Sequence, residues 1–139
     1  MKTSSAKNKG RKLQKHLREL LIDVLGIDEE DVLSRPMGSQ GEDLILSPKA
    51  REKFPFSPEC KNQEKVNVWE SFKQADDNAP EGIEGLLVLK RNNSEVFAML
   101  RLTALVELID AANQNKKKSS RKVSKRKKKS PKLRKMRNQ

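Results

Sequence analysis

Positions 38–64 read GSQGEDLILSPKAREKFPFSPECKNQE. A glycine-rich turn leads into Leu44, Ile45 and Leu46, which predict a strand beginning near Glu42. Pro48 to Lys53 makes a connection, and Phe54 to Lys61 predicts the next strand. Pro55 and Pro58 confine that strand to an edge or an irregular course, because proline offers no N–H to a ladder. Successive strand side chains point to opposite faces, so Glu59 and Lys61 project together while Cys60 points the other way. Pairing the two strands as an antiparallel hairpin sets Asp43 beside Glu59 and Lys61. Two carboxylates and an ammonium then converge, although sixteen residues separate Asp43 from Glu59.

Upstream, Leu13, Leu17, Leu20, Leu21, Val24 and Leu25 recur at helical spacing and predict an amphipathic first helix ended by Gly26. On that helix Gln14 lies between Leu21 and Leu25 and faces inward. Val32 to Met37 predicts the first strand. Downstream, Val68, Trp69, Phe72, Ala75 and Ala79 mark the apolar side of a second helix ending before Pro80. Leu86 to Leu89 is an uninterrupted apolar run suited to a strand buried on both faces. Asn92 and Asn93 turn the chain into Val96 to Leu100, and Leu102 to Ala112 forms the last helix. The expected fold is α/β in the order αβββαββα, a three-strand meander crossing through a helix into more sheet, mixed and flanked by helices. There is no internal repeat.

The 139 residues suit one domain with appended segments. The net charge of +12 is unevenly spread: positions 1–18 hold seven basic residues and no acid, positions 113–139 hold fourteen and no acid, and the stretch between holds ten against nineteen acids. This divides the chain into a basic arm over 1–9, a domain over 10–112 and a tail over 113–139. From Lys116 to Arg137 the tail has too little apolar surface to offset the entropy of ordering, so it is expected to be disordered. Lys9, Arg11 and Lys12 near the start, with Lys116, Lys117, Lys118, Arg121, Lys122, Lys125, Arg126, Lys127, Lys128 and Lys129 in the tail, are the expected DNA contacts. Such groups neutralise phosphates and release counterions without reading sequence.

No run approaches the roughly 18–20 apolar residues of a membrane span, and the lysine-rich start lacks the apolar stretch of a secretory signal. A soluble, intracellular chain is expected. One cysteine and one histidine exclude an intramolecular disulfide and a zinc site of ordinary His/Cys type. Any metal must therefore sit on oxygen, and Asp43 with Glu59 suits Mg²⁺, which binds through one or two carboxylates and keeps its waters. Mn²⁺ is the expected substitute.

The pattern D-x(15)-E-x-K, preceded by a glycine-rich turn and followed by a helix, resembles the PD-(D/E)xK nuclease superfamily, and within it the small archaeal-type and phage-encoded Holliday-junction resolvases. Ser39, Gly41 and Asp43 match the family's S-x-G-x-D turn, Glu59 and Lys61 its E-x-K strand, and Gln74 the glutamine of the following helix. The resemblance spans about Lys9 to Leu100 and leaves the basic tail out. It implies a restriction-endonuclease-like core and Mg²⁺-dependent hydrolysis of DNA phosphodiesters. It further implies branched DNA as partner, a homodimer, a role in DNA recombination, and a prokaryotic or phage-infected cytoplasm with nucleoid association open. Asp43 and Glu59 would hold the metal, Lys61 would position the attacking hydroxide, and Ser39 and Gln74 would be accessory. Where the family has an acid four residues after a glycine on the first helix, this chain has Gln14 after Gly10. An amide oxygen can ligate Mg²⁺ or hold a water but brings no charge, so weaker metal affinity is expected.

Each residue also has an ordinary structural use. Gln14 suits a polar group bonded to a neighbouring strand, Asp43 a turn stabiliser, and Glu59 with Lys61 a same-face salt bridge worth at most about 1 kcal/mol. Ser39 suits a loop cap and Gln74 a solvated helix position. His16 reads as surface, Cys60 as core, and Trp69 as core beside Phe72. The rival functions are a noncatalytic basic nucleic-acid-binding protein and a nuclease of the same superfamily acting on nicked, linear or single-stranded DNA.

Overall fold

A computed structural model describes residues 2–36 and 38–125. They fall into two units, divided between Leu100 and Arg101. The first contains α1 (Lys2–Leu25), a 3-10 turn (Glu29–Asp31), β1 (Val32–Ser34), β2 (Leu44–Leu46), α2 (Pro48–Lys53), β3 (Phe56–Asn62), α3 (Val68–Asp77), β4 (Glu84–Lys90) and β5 (Phe97–Met99), and the second contains α4 (Leu102–Lys125). The fold is α/β, with an antiparallel β1–β2 pair and a mixed three-stranded sheet in the order β3-β4-β5. No helix among the described residues is long and apolar enough to cross a membrane.

Of the expected meander the β1–β2 pair is present, but β3 belongs to the other sheet. β2 pairs with β1, whereas β3 runs parallel to β4 with α3 as the crossover. The link between β2 and β3 is itself helical: Pro48 occupies the first turn of α2, and the Ser47 hydroxyl accepts the Ala50 N–H at 3.1 Å as its N-cap. The backbone link from the Asp43 turn to β3 is Asp43 N–H donating to the Pro58 carbonyl at 3.1 Å. Pro58 has no N–H to return that bond, so an antiparallel ladder cannot close there. The proline argument does hold for β3 as a sheet edge.

Leu13, Leu17 and Leu21 bury one row of α1, and Val32, Leu44, Phe56, Leu87 and Val88 complete the core. Full burial of each large aliphatic contributes roughly 1.5–3 kcal/mol. Leu20, Val24 and Leu25, expected in the same row, are exposed. On the β1–β2 ladder Leu33 and Ile45 face each other on the exposed side while Val32 and Leu46 are buried, the alternation a half-buried hairpin requires.

Helix α3 lies very close to β4. A Cβ on Gly85 would sit 2.7 Å from the Asp76 amide nitrogen and 2.8 Å from the Ala75 carbonyl carbon, so glycine is needed for the approach. The Gly85 N–H donates to Asp76 Oδ1 at 3.0 Å. With backbone so near the sheet, Ser71 and Ala75 fill the buried row, and Trp69 is turned outward at 77% exposure. Trp69 is thus not the core residue its spacing suggests.

Both ends are more helical than composition implies. α1 begins at Lys2, so described residues of the 1–9 arm are its first turns, and α4 continues past Ala112 to Lys125 through residues expected to be disordered. Lysine, arginine and alanine are good helix formers, and cations near a helix C-terminus are favoured by its dipole. Composition registers the lack of a core but not these local preferences. Arg126, Lys127, Lys128 and Lys129 lie outside the described residues, as does the rest of the expected tail.

Candidate functional site

Asp43 stands at the start of β2 on a turn held from both sides. The Arg35 N–H donates to the Asp43 carbonyl at 2.9 Å, and Arg35 Nε donates to the Glu42 carbonyl at 2.6 Å. Gly41 adopts φ +122, a backbone conformation that favours glycine, and a Cβ there would displace the Arg35 guanidinium, whose Cζ would lie 2.7 Å away. Beneath it, Arg51 of α2 donates to the Phe56 carbonyl at 2.8 Å and makes an ion pair with Glu42. The pair is nearly enclosed, with side-chain exposures of 14% and 6%. α2, the turn and β3 are therefore clamped at the residue preceding Asp43.

The Asp43 carboxylate then spans to β3, its Oδ2 accepting the Cys60 N–H at 2.6 Å. This occupies an edge donor that β4 does not use. The Gln14 amide, buried on α1, hydrogen-bonds the same carboxylate. Glu59 is 4% exposed, with Oε1 at 3.4 Å from Lys61 Nζ and Oε2 buried without a hydrogen-bond partner among the described residues. The structure thus brings Gln14, Asp43, Glu59 and Lys61 together, as expected, although by a side-chain bridge rather than a hairpin.

Burial raises the Asp43 pKa above the usual carboxylate range, against the opposing pull of the Cys60 N–H, Lys61, Gln14 and Arg35. Burial likewise raises Glu59, and the neighbouring Asp43 charge raises it further, while Lys61 and the facing Asn78 amide draw it down. The Cys60 thiol is pushed up by burial and by both carboxylates, which makes it an inert core side chain.

A cleft of about 520 Å³ opens over the carboxylates, lined by Ser39, Gln40 and Gly41 from the turn, Asp43 and Glu59 below, and Glu70, Lys73, Gln74, Asp77 and Asn78 from α3 and its end. Ser39 also closes the turn, its hydroxyl donating to the Pro36 carbonyl at 2.7 Å. Glu70, Lys73, Gln74 and Asp77 occupy helical positions i, i+3, i+4 and i+7, one face of α3. Gln74 alone was singled out in the sequence; extending its row by that period would have found the others. Asn78 and the Glu42–Arg51 clamp carried no sequence signal, since one depends on where the helix ends and the other on the path of α2.

Among the described residues no three His, Cys, Asp or Glu side chains are grouped to hold a metal ion. Two neighbouring carboxylates with raised pKa values and an unpartnered buried oxygen nevertheless suit a cation that keeps most of its waters, as Mg²⁺ does. The described basic residues expected to contact DNA lie on α1 and on α4. Lys9 donates to Asn92 Oδ1 at 2.8 Å, Arg11 and Lys12 are exposed on α1, and Lys116, Lys117, Lys118 and Arg121 are exposed on α4. Lys122 and Lys125 belong to the last turns of α4. Compared with known proteins, the chain matches no family, no curated protein and no solved structure.

Proposed function

We propose that this protein is a Mg²⁺-dependent DNA endonuclease with a restriction-endonuclease-like core, acting on branched DNA in the manner of the PD-(D/E)xK resolvases it resembles. The observation that carries the reading is the convergence of Asp43, Glu59 and Lys61, with a Glu59 oxygen left unpartnered beside an open cleft. Asp43 and Glu59 hold the ion, with Mn²⁺ as substitute. The ion supplies charge neutralisation at the phosphodiester and a more acidic water. Gln14 orients the Asp43 carboxylate through its hydrogen bond. Lys61, held by Glu59, places its ammonium where negative charge develops on the phosphate. Basic residues of α1 and α4 bind phosphates without reading bases. A homodimer would present two such sites to the two strands of a junction.

The exposed basic residues of α1 and α4 also support a second reading, a noncatalytic nucleic-acid binder. One experiment separates the two: labelled four-way junction, nicked duplex, linear duplex and single strand are incubated with wild type or Asp43→Ala, in Mg²⁺, Mn²⁺ or EDTA. Cleavage by the wild type that EDTA and Asp43→Ala both abolish is the expected result. Binding without cleavage of any substrate would establish the rival.

A further inference from the structure

Trp69 is the single tryptophan of a chain that has no tyrosine, and it stands 77% exposed at the start of α3. A large flat apolar side chain left in water forgoes the burial its surface favours. Its position relates it to the cleft. Trp69 precedes Lys73 by one helical turn, and Lys73 belongs to the row with Glu70, Gln74 and Asp77 that lines the cleft wall. Trp69 is itself outside that lining, one turn before its Lys73; the lining includes the Gln40, Gln74 and Asn78 amides.

Amides offer paired donors and acceptors to base edges, and an indole offers a plane to a base face. A base paired inside a duplex presents only its edges, so its face is reachable where it is unpaired. The surroundings favour a base over a protein partner: Glu70 and Lys73, next to Trp69 on α3, are exposed and charged, and the apolar neighbour Phe72 is half-buried, so the exposed indole has charged rather than exposed apolar groups beside it. We propose that Trp69 stacks on an unpaired nucleobase of a DNA strand entering the Asp43–Glu59 cleft. The inference rests on the nuclease reading and narrows its substrate to DNA with unpaired bases.

The full-length protein in EDTA tests this without cleavage, since its indole fluorescence comes from Trp69 alone. It is titrated with a single-stranded oligonucleotide, a duplex bearing a single-stranded flap, and a blunt duplex, with occupancy measured separately by gel shift. The single strand and the flap should alter the emission saturably, and the blunt duplex at equal occupancy should not. Trp69→Ala should weaken single-strand binding by roughly fivefold to a hundredfold, the range for loss of one stacking aromatic, while Trp69→Phe keeps most of the affinity. Bound single strand with unchanged emission, or Trp69→Ala binding as tightly as wild type, overturns the stacking and leaves the nuclease reading standing. No binding to any of the three overturns both. A normal emission response without cleavage in Mg²⁺ upholds the stacking and overturns the nuclease reading.

Discussion

The Asp43 side chain holds the backbone of Cys60, accepting its N–H at 2.6 Å across seventeen positions of sequence. A carboxylate thereby takes the place that a neighbouring strand would fill, and Asp43 is anchored at one oxygen beside Glu59. That arrangement carries an electrostatic cost, because both acids are buried and Glu59 feels the charge of Asp43.

Their raised pKa values set the sign of a pH effect. Above the ordinary carboxylate range, roughly pH 4, and up to the raised native values, the folded state binds more protons than the unfolded chain. Stability in EDTA should therefore fall as pH rises through that window. Asp43→Asn and Glu59→Gln keep the shape and remove the charge, so each should melt above wild type at neutral pH, with the difference closing near pH 4. Mg²⁺ should raise the wild-type melting temperature and leave that of Asp43→Asn unchanged; thermal unfolding with and without the ion reads both effects.

Glu59→Ala and Lys61→Ala should each lower DNA cleavage by at least about a hundredfold, the scale for losing one charge-stabilising group at a reaction centre. DNA binding should survive in both. Wild-type turnover by either purified variant would remove that residue from the site.

Gln14 should tune the metal requirement. Its amide already contacts Asp43, so Gln14→Glu adds a third carboxylate and should tighten Mg²⁺ binding. Gln14→Ala should raise the Mg²⁺ concentration needed for half-maximal cleavage, with a smaller loss of maximal rate than Asp43→Ala. Coincident Mg²⁺ titration curves for wild type and both variants would make Gln14 a packing residue.

The Glu42–Arg51 pair is enclosed enough that breaking it on one side strands a charge. Arg51→Met should cost about 3–5 kcal/mol in denaturant unfolding, and the double variant with Glu42→Leu should recover most of that, because replacing both partners leaves no buried charge. Equal destabilisation in single and double variants would instead assign the effect to the Arg51 bond with the Phe56 carbonyl.

Deleting residues 116–139 removes fourteen basic residues. DNA affinity should fall for every sequence and log K should depend less steeply on log[salt], while Mg²⁺ binding at Asp43 and Glu59 is unaffected. An unaltered salt slope would mean that these residues do not contact phosphates.

The sequence by itself determined the α/β class, the inward Gln14, the grouping of Glu59 with Lys61 on one strand face, and the limit of β3 to a sheet edge or an irregular course. All four follow from local rules of helical period, strand alternation and the missing proline N–H. Only the tertiary structure decided how the pieces meet. β3 runs parallel to β4, α2 replaces a bare connection, and Asp43 reaches β3 through a side-chain bridge, because strand pairing depends on which edge donors remain after every backbone group has found a partner. Trp69 illustrates the same limit. Its spacing from Phe72 reads as core, but the close approach of α3 to Gly85 leaves Ser71 and Ala75 at the buried contact, and the indole faces solvent. Periodicity identifies a face of a helix; the distance to the neighbouring sheet decides which residues on it fit.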